Sequence, residues 1–129
     1  MSKYDELGRH EINVAVANAL GIDWEEGMVF QSPADPNAPD AEFTRATVKR
    51  KITNNEKFWR EFDPFRMLGD NMRTLDGLVK ITGGIFLKED GSATTEINGK
   101  QVTANGGHCR AICVLFLMAK DAQNQLQNA

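Results

Sequence analysis

Two cysteines, two histidines and one tyrosine among 129 residues leave little material for the common metal and redox chemistries. A closed zinc site needs four ligands, and the only soft cluster is His108, Cys109 and Cys113, with His10 far away in a different predicted helix. Cys109 and Cys113 lie four apart in a segment that reads as helix, where a disulfide has poor geometry, so both are expected reduced and packed, as in a cytosol. A buried thiol with no base beside it is inert, so neither is expected to act as a nucleophile. Long apolar runs are also missing. The longest, Ala111 to Ala119, has nine residues and is too short to span a bilayer, and the polar start, Met1 to His10, has no secretory pattern. The expectation is a cytoplasmic protein with no membrane partner.

Nucleotide-loop patterns are absent too. Gly83-Gly84 and Gly106-Gly107 lack the spacing and lysine of a phosphate-binding loop. Gly106-Gly107 reads first as a turn, although glycines before a helix can also present free amides to an anion. Asp63, Asp70 and Asp76 have spacings that do not gather all three on one helix face, and Asp63 is most simply a helix cap. No catalytic residue, metal ligand or cofactor is assigned, and the balance is against an enzyme.

What the sequence does contain is enough apolar material, 41% against 26% charged residues, for one folded domain over residues 1–129. Its net charge of −3 conceals a gradient. Residues 1–44 hold 2 basic and 9 acidic side chains, residues 45–73 hold 8 and 4, and residues 74–129 hold 5 of each, giving −7, +4 and 0. A partner drawn to positive charge would meet the middle segment, while the acidic start argues against a dedicated non-specific DNA binder.

Ser2 and Asp5 have the spacing of a capping box, and Ile12, Val16, Ala19 and Leu20 recur at helical intervals before Gly21, which predicts a helix over about residues 3–20. A short strand at Met28 to Gln31 precedes a surface loop, residues 32–41, that holds three of the four prolines. Phe43 to Ile52 alternates as a half-buried strand, with Ala46, Val48 and Ile52 on one side and Arg45, Lys49 and Lys51 on the other. Glu56, Lys57, Arg60 and Glu61 read as solvated helix charges. Asp63-Pro64 then marks a second helix start, and Leu68, Met72, Leu75 and Val79 give it an apolar stripe up to Gly83-Gly84.

Asp90-Gly91 and Asn98-Gly99 separate three strands, Ile85 to Lys88, Ser92 to Ile97 and Lys100 to Thr103, as hairpin turns. Asn105 is placed to cap a last, buried helix through Ala119, followed by a polar tail, residues 121–129, expected to fray. The fold class expected is α+β, an antiparallel meander of three to five strands packed with about three helices, the first and last helices flanking the sheet. The strand from Phe43 to Ile52 would join that meander.

The most suggestive stretch interleaves cations with aromatics: Arg45, Lys49, Arg50, Lys51, Lys57, Trp59, Arg60 and Phe62. Charge with stacking can hold an acidic protein face, a nucleotide or a nucleic acid. A solvated surface with Trp59 and Phe62 in the core is the plain alternative.

Glu11-Ile12-Asn13, Val16-Ala17 and Ala19-Leu20-Gly21, then Phe62-Asp63-Pro64, then Arg110-Ala111, Val114 and Phe116-Leu117-Met118 occur in an order that resembles the NinX-like family of small bacteriophage proteins, with the phage α/β/α sandwich domain. The resemblance covers the first helix and Phe62 to Lys120, leaving Gly27 to Asn55 without a counterpart. It implies a phage product acting in the cytoplasm of an infected host, and it carries over no catalytic residues. The function expected is a non-enzymatic module that engages a host macromolecule, most simply a protein, to blunt a defence system. A receptor sequestering a nucleotide signal is the alternative, with Trp59 or Phe62 stacking the base, and a homo-oligomer is open to either.

Overall fold

A computed structural model of the chain describes residues 3–51 and 59–127. In chain order these form helix α1 (Arg9–Ala19), strands β1 (Trp24–Phe30), β2 (Thr44–Lys51) and β3 (Trp59–Phe62), helix α2 (Leu68–Thr82), strands β4 (Phe86–Leu87), β5 (Ala93–Ile97) and β6 (Lys100–Ala104), and helix α3 (His108–Gln127). The fold is α+β, with the first and last helices flanking the sheets. The strands make two antiparallel sheets of three, ordered β1-β2-β3 and β4-β5-β6. The strand predicted at Phe43 to Ile52 therefore does not extend the later meander; it centres a sheet of its own.

The meander follows its turn residues. Asn98 and Gly99 both take positive φ, 53° and 78°, which a tight turn between Ile97 and Lys100 requires. Asp90 accepts the Ser92 amide at 2.9 Å and its hydroxyl at 2.6 Å, closing the turn in which Gly91 has a φ of 88°. Only two residues of the preceding segment pair, Phe86 with Thr94 and Leu87 with Ala93.

The first helix begins later than its sequence suggests. Ser2 lies outside the described residues, and Tyr4 to Leu7 form a turn closed by the Leu7 amide on the Tyr4 carbonyl at 3.2 Å. The reason comes from the far end of the chain. The Arg110 guanidinium takes the carbonyls of Tyr4, Asp5 and Leu7 at 3.2, 3.1 and 2.8 Å, and the helix starts only after Gly8, whose amide donates to Glu11 Oε1 at 3.3 Å.

Four further expectations are corrected. The segment read as solvated helix charges is partly strand β3, in register with β2 through Val48–Phe62, Lys49–Glu61, Arg50–Arg60 and Lys51–Trp59. Asp63-Pro64 opens a turn rather than a helix. The amides of Arg66 and Met67 bond the Asp63 carbonyl at 3.1 and 2.7 Å, and α2 starts at Leu68. The apolar stripe of α2 is not its buried face: Leu68 and Met72 are 76% and 55% exposed, whereas Asp70, Thr74 and Leu78 are buried. Finally, α3 is preceded by Gly107, whose carbonyl receives the Ala111 amide at 2.9 Å, rather than capped by Asn105, and it runs to Gln127.

The core lies where α3 meets the other elements. Ala111 to Leu117 are buried in succession and pack with Ile12 and Val16 of α1, Val48 and Phe62 of the first sheet, and Leu78 of α2. The loop over residues 32–41 carries turns and no strand, as its prolines predict, and holds β1 and β2 together at its base, where the Gln31 amide reaches the Phe43 carbonyl at 2.9 Å.

Candidate functional site

Strand alternation divides the basic stretch between two faces of the first sheet. Arg45, Thr47 and Lys49 share one face of β2, whereas Ala46, Val48 and Arg50 share the other, on which Val48 and Phe62 enter the core. Lys57 lies outside the described residues. For Lys51 and Trp59 the backbone is described, and it pairs them across β2 and β3. Phe62 is wholly buried, so it cannot stack a ligand's ring, which removes one arm of the nucleotide reading.

On the first face Glu61 gathers its neighbours. Arg45 reaches it at 2.8 Å through Nη1 and 3.2 Å through Nη2, Arg66 reaches it at 3.3 Å, and the Thr47 hydroxyl donates to its other oxygen. Burial by itself would raise the pKa of Glu61, but the hydrogen bonds from Arg45 and Thr47 and the charges of Arg45 and Arg66 outweigh it and hold the carboxyl below its ordinary range. Lys49 leans toward Glu25 on β1, Nζ to Oε1 3.6 Å, and lies across Gly27, where an added Cβ would come within 2.1 Å of the lysine Cδ. This face is an ion-paired lattice more than a bare positive strip.

Where β3 ends, Asp63 is fully buried and accepts from the Arg9 guanidinium, from Asn13 Nδ2 at 3.1 Å and from the Phe65 amide at 3.1 Å. The Arg9 guanidinium also sits 5.5 Å from the centre of the Phe65 ring. A pocket of about 230 Å³ opens beside this pair, lined by Arg9, His10, Asn13, Arg45, Ala46 and Thr47. Asn13 Oδ1 is buried without a hydrogen-bond partner among the described residues. No sequence signal marked Arg9, because its partner is 54 residues away.

On the opposite face Arg50 and Arg60 stand directly across from each other, and Asp70 of α2 acts electrostatically on both. Asp70 Oδ2 accepts the Asp63 amide at 2.9 Å and Oδ1 lies 3.5 Å from the Arg60 guanidinium. Burial first, then the charges of Arg60 and Arg73, lower the pKa of Arg50, with Asp70 opposing them. The structure thus brings together Arg50 and Arg60, which the sequence marked, with Arg73, which it did not.

The part of the first sheet that stands clear of the core carries apolar side chains. On one face Phe30 is 89% and Met28 63% exposed, and Phe43 is 51% exposed at the loop base. Sequence alternation predicts which residues share a face and not whether anything covers it.

Cys113 is buried, and burial above all pushes its thiol well up; Cys109 is half-buried, and both are free. His108 Nε2 is 2.6 Å from the Lys88 carbonyl oxygen. Among the described residues no group of three or more His, Cys, Asp and Glu side chains is placed to hold a metal ion, and no helix is long and apolar enough to cross a membrane. No family model matches the chain, and neither a curated protein nor a solved structure matches it.

Proposed function

We propose that the chain is a non-enzymatic binding module that engages a host protein through the exposed end of the β1–β2 pair. The observation that carries this reading is Phe30, the most exposed large apolar side chain described, next to Met28 on one face with Phe43 close by. Burying one such side chain on binding is worth about 1.5–3 kcal/mol, and aromatic anchors of this kind dominate protein interfaces. A monomer gains nothing from holding them in water. Arg45 and Lys49 sit on the same two-stranded arm, where acidic groups of a partner would compete with Glu61 and Glu25 for them.

A phage origin, action in the host cytoplasm and interference with a defence system belong to this reading, and they rest on the sequence resemblance. The test is a tagged pull-down from infected host lysate, comparing wild type with the double variant Met28→Thr, Phe30→Ser. A host protein retained by the wild type and lost from the variant, at equal thermal stability, is the expected result. A partner retained equally by both excludes the arm as the contact.

A further inference from the structure

We propose that Arg50, Arg60 and Arg73 form a second binding site, separate from the β1–β2 arm, that takes the phosphate monoester of a small molecule. Directly opposed like charges destabilise an antiparallel pair, yet Arg50 and Arg60 hold that position with one carboxylate at hand. That carboxylate is already in use. Asp70 gives one oxygen to the Asp63 amide and reaches Arg60 with the other only at 3.5 Å, so among the described residues three guanidinium groups share a single negative charge. Arg73 follows Asp70 by three residues, on the same side of α2, and no carboxylate among the described residues pairs with it.

A second observation points to a ligand. Arg50 Nε is buried without an acceptor among the described residues, and a donor removed from water and left unpaired is costly unless something fills its need. Among the described residues, three guanidinium groups against one carboxylate leave an excess of two positive charges, and a phosphate monoester carries about −1.5 to −2 near neutral pH on oxygens that match the guanidinium fork. An internal phosphodiester brings only one charge, and the acidic segment over residues 1–44, net −7, repels a long polyanion. Trp24 completes the row across the sheet as the β1 partner of Arg50; its half-buried ring packs on the core and is fixed by the bond from its N–H to Asn18 Oδ1 at 2.8 Å, a held flat surface on this row for a nucleoside beside the phosphate.

The experiment titrates the full chain with inorganic phosphate, adenosine monophosphate, adenosine and a short oligothymidylate without terminal phosphates, at constant ionic strength, by calorimetry and amide NMR. Phosphate and the monophosphate are expected to bind one to one, the monophosphate more tightly, with adenosine and the oligonucleotide silent. Arg73→Ala, on an exposed helix surface, and Arg50→Met should each weaken binding about tenfold, as loss of a charge-assisted bond implies, while Lys80→Ala leaves it unchanged. If Arg50→Met does not fold, Arg73→Ala alone decides. Absence of saturation by phosphate and the monophosphate at about 10 mM, well above a millimolar dissociation constant, overturns the proposal. So does binding that survives Arg73→Ala, or an oligonucleotide that binds as well as the monophosphate. The β1–β2 arm takes no part in these titrations.

Discussion

Arg50 and Arg60 face each other across β2 and β3, two guanidinium groups opposed in register with Asp70 as their one carboxylate neighbour among the described residues. Lys49, one residue earlier, faces Glu61 instead and lies 3.6 Å from Glu25. Charge reversal at these adjacent positions therefore has opposite effects. Lys49→Glu sets three carboxylates together and should cost about 1 kcal/mol, whereas Arg50→Glu replaces a like pair by an opposite one and should be neutral or stabilising by a few tenths. Urea denaturation of the two variants checks the difference in sign.

Asp63 is the buried end of an ion pair whose other end, Arg9, is partly exposed. Removing the arginine strands a carboxylate with no access to water, while removing the carboxylate leaves a cation that can turn to solvent. Arg9→Met should therefore destabilise by about 3 kcal/mol, near the lower end for a broken buried pair, and adding Asp63→Asn should restore part of the loss. A double-mutant cycle on melting temperatures measures both steps.

Acid should act on Glu61 only below the ordinary glutamate range. Its folded-state pKa lies below the unfolded value, so its stabilisation is complete above the ordinary glutamate value of about 4.3 and is lost as pH falls through the lower folded value. Glu61→Gln is expected to lower stability at pH 7 and to flatten its decline below about pH 4. A variant that declines as steeply as the wild type would show that other carboxylates carry the acid response.

Two glycines of α2 separate packing from backbone freedom. An added Cβ at Gly77 would come within 2.9 Å of the Phe116 ring, whereas one at Gly69 meets nothing within 4 Å. Gly77→Ala should cost about 1–3 kcal/mol through overpacking, and Gly69→Ala should add about 0.5–1 kcal/mol by restricting the unfolded chain and favouring helix. Thermal melts of the two variants should move in opposite directions.

Local signals carried much of the fold. Asn98-Gly99 and Asp90-Gly91 force turns through their own backbone preferences, and the apolar run from Ala111 to Leu117 is buried on almost every face of its helix. Signals set by distant partners were not legible. β3 offers only Trp-Arg-Glu-Phe, and its identity as a strand depends on pairing with β2. The buried face of α2 is hidden because Asp70 turns inward to hold the Asp63 amide, leaving Leu68 and Met72 outside against the usual apolar rule.

The candidate sites divide in the same way. Arg50 and Arg60 stand out as part of a basic run, but only the register of the sheet opposes them, and only the placement of α2 adds Arg73. The exposure of Phe30 follows from how far β1 and β2 reach past the core, a length that the proline loop does not encode.

The most direct test of the binding reading is site-specific photocrosslinking in infected host cells, with a benzophenone amino acid at position 30 and, as a control, at the exposed position 76 on α2. The account predicts a discrete crosslinked host protein from position 30 and none from position 76. Crosslinks of equal yield from both positions, or none from position 30 in a folded protein, would contradict it.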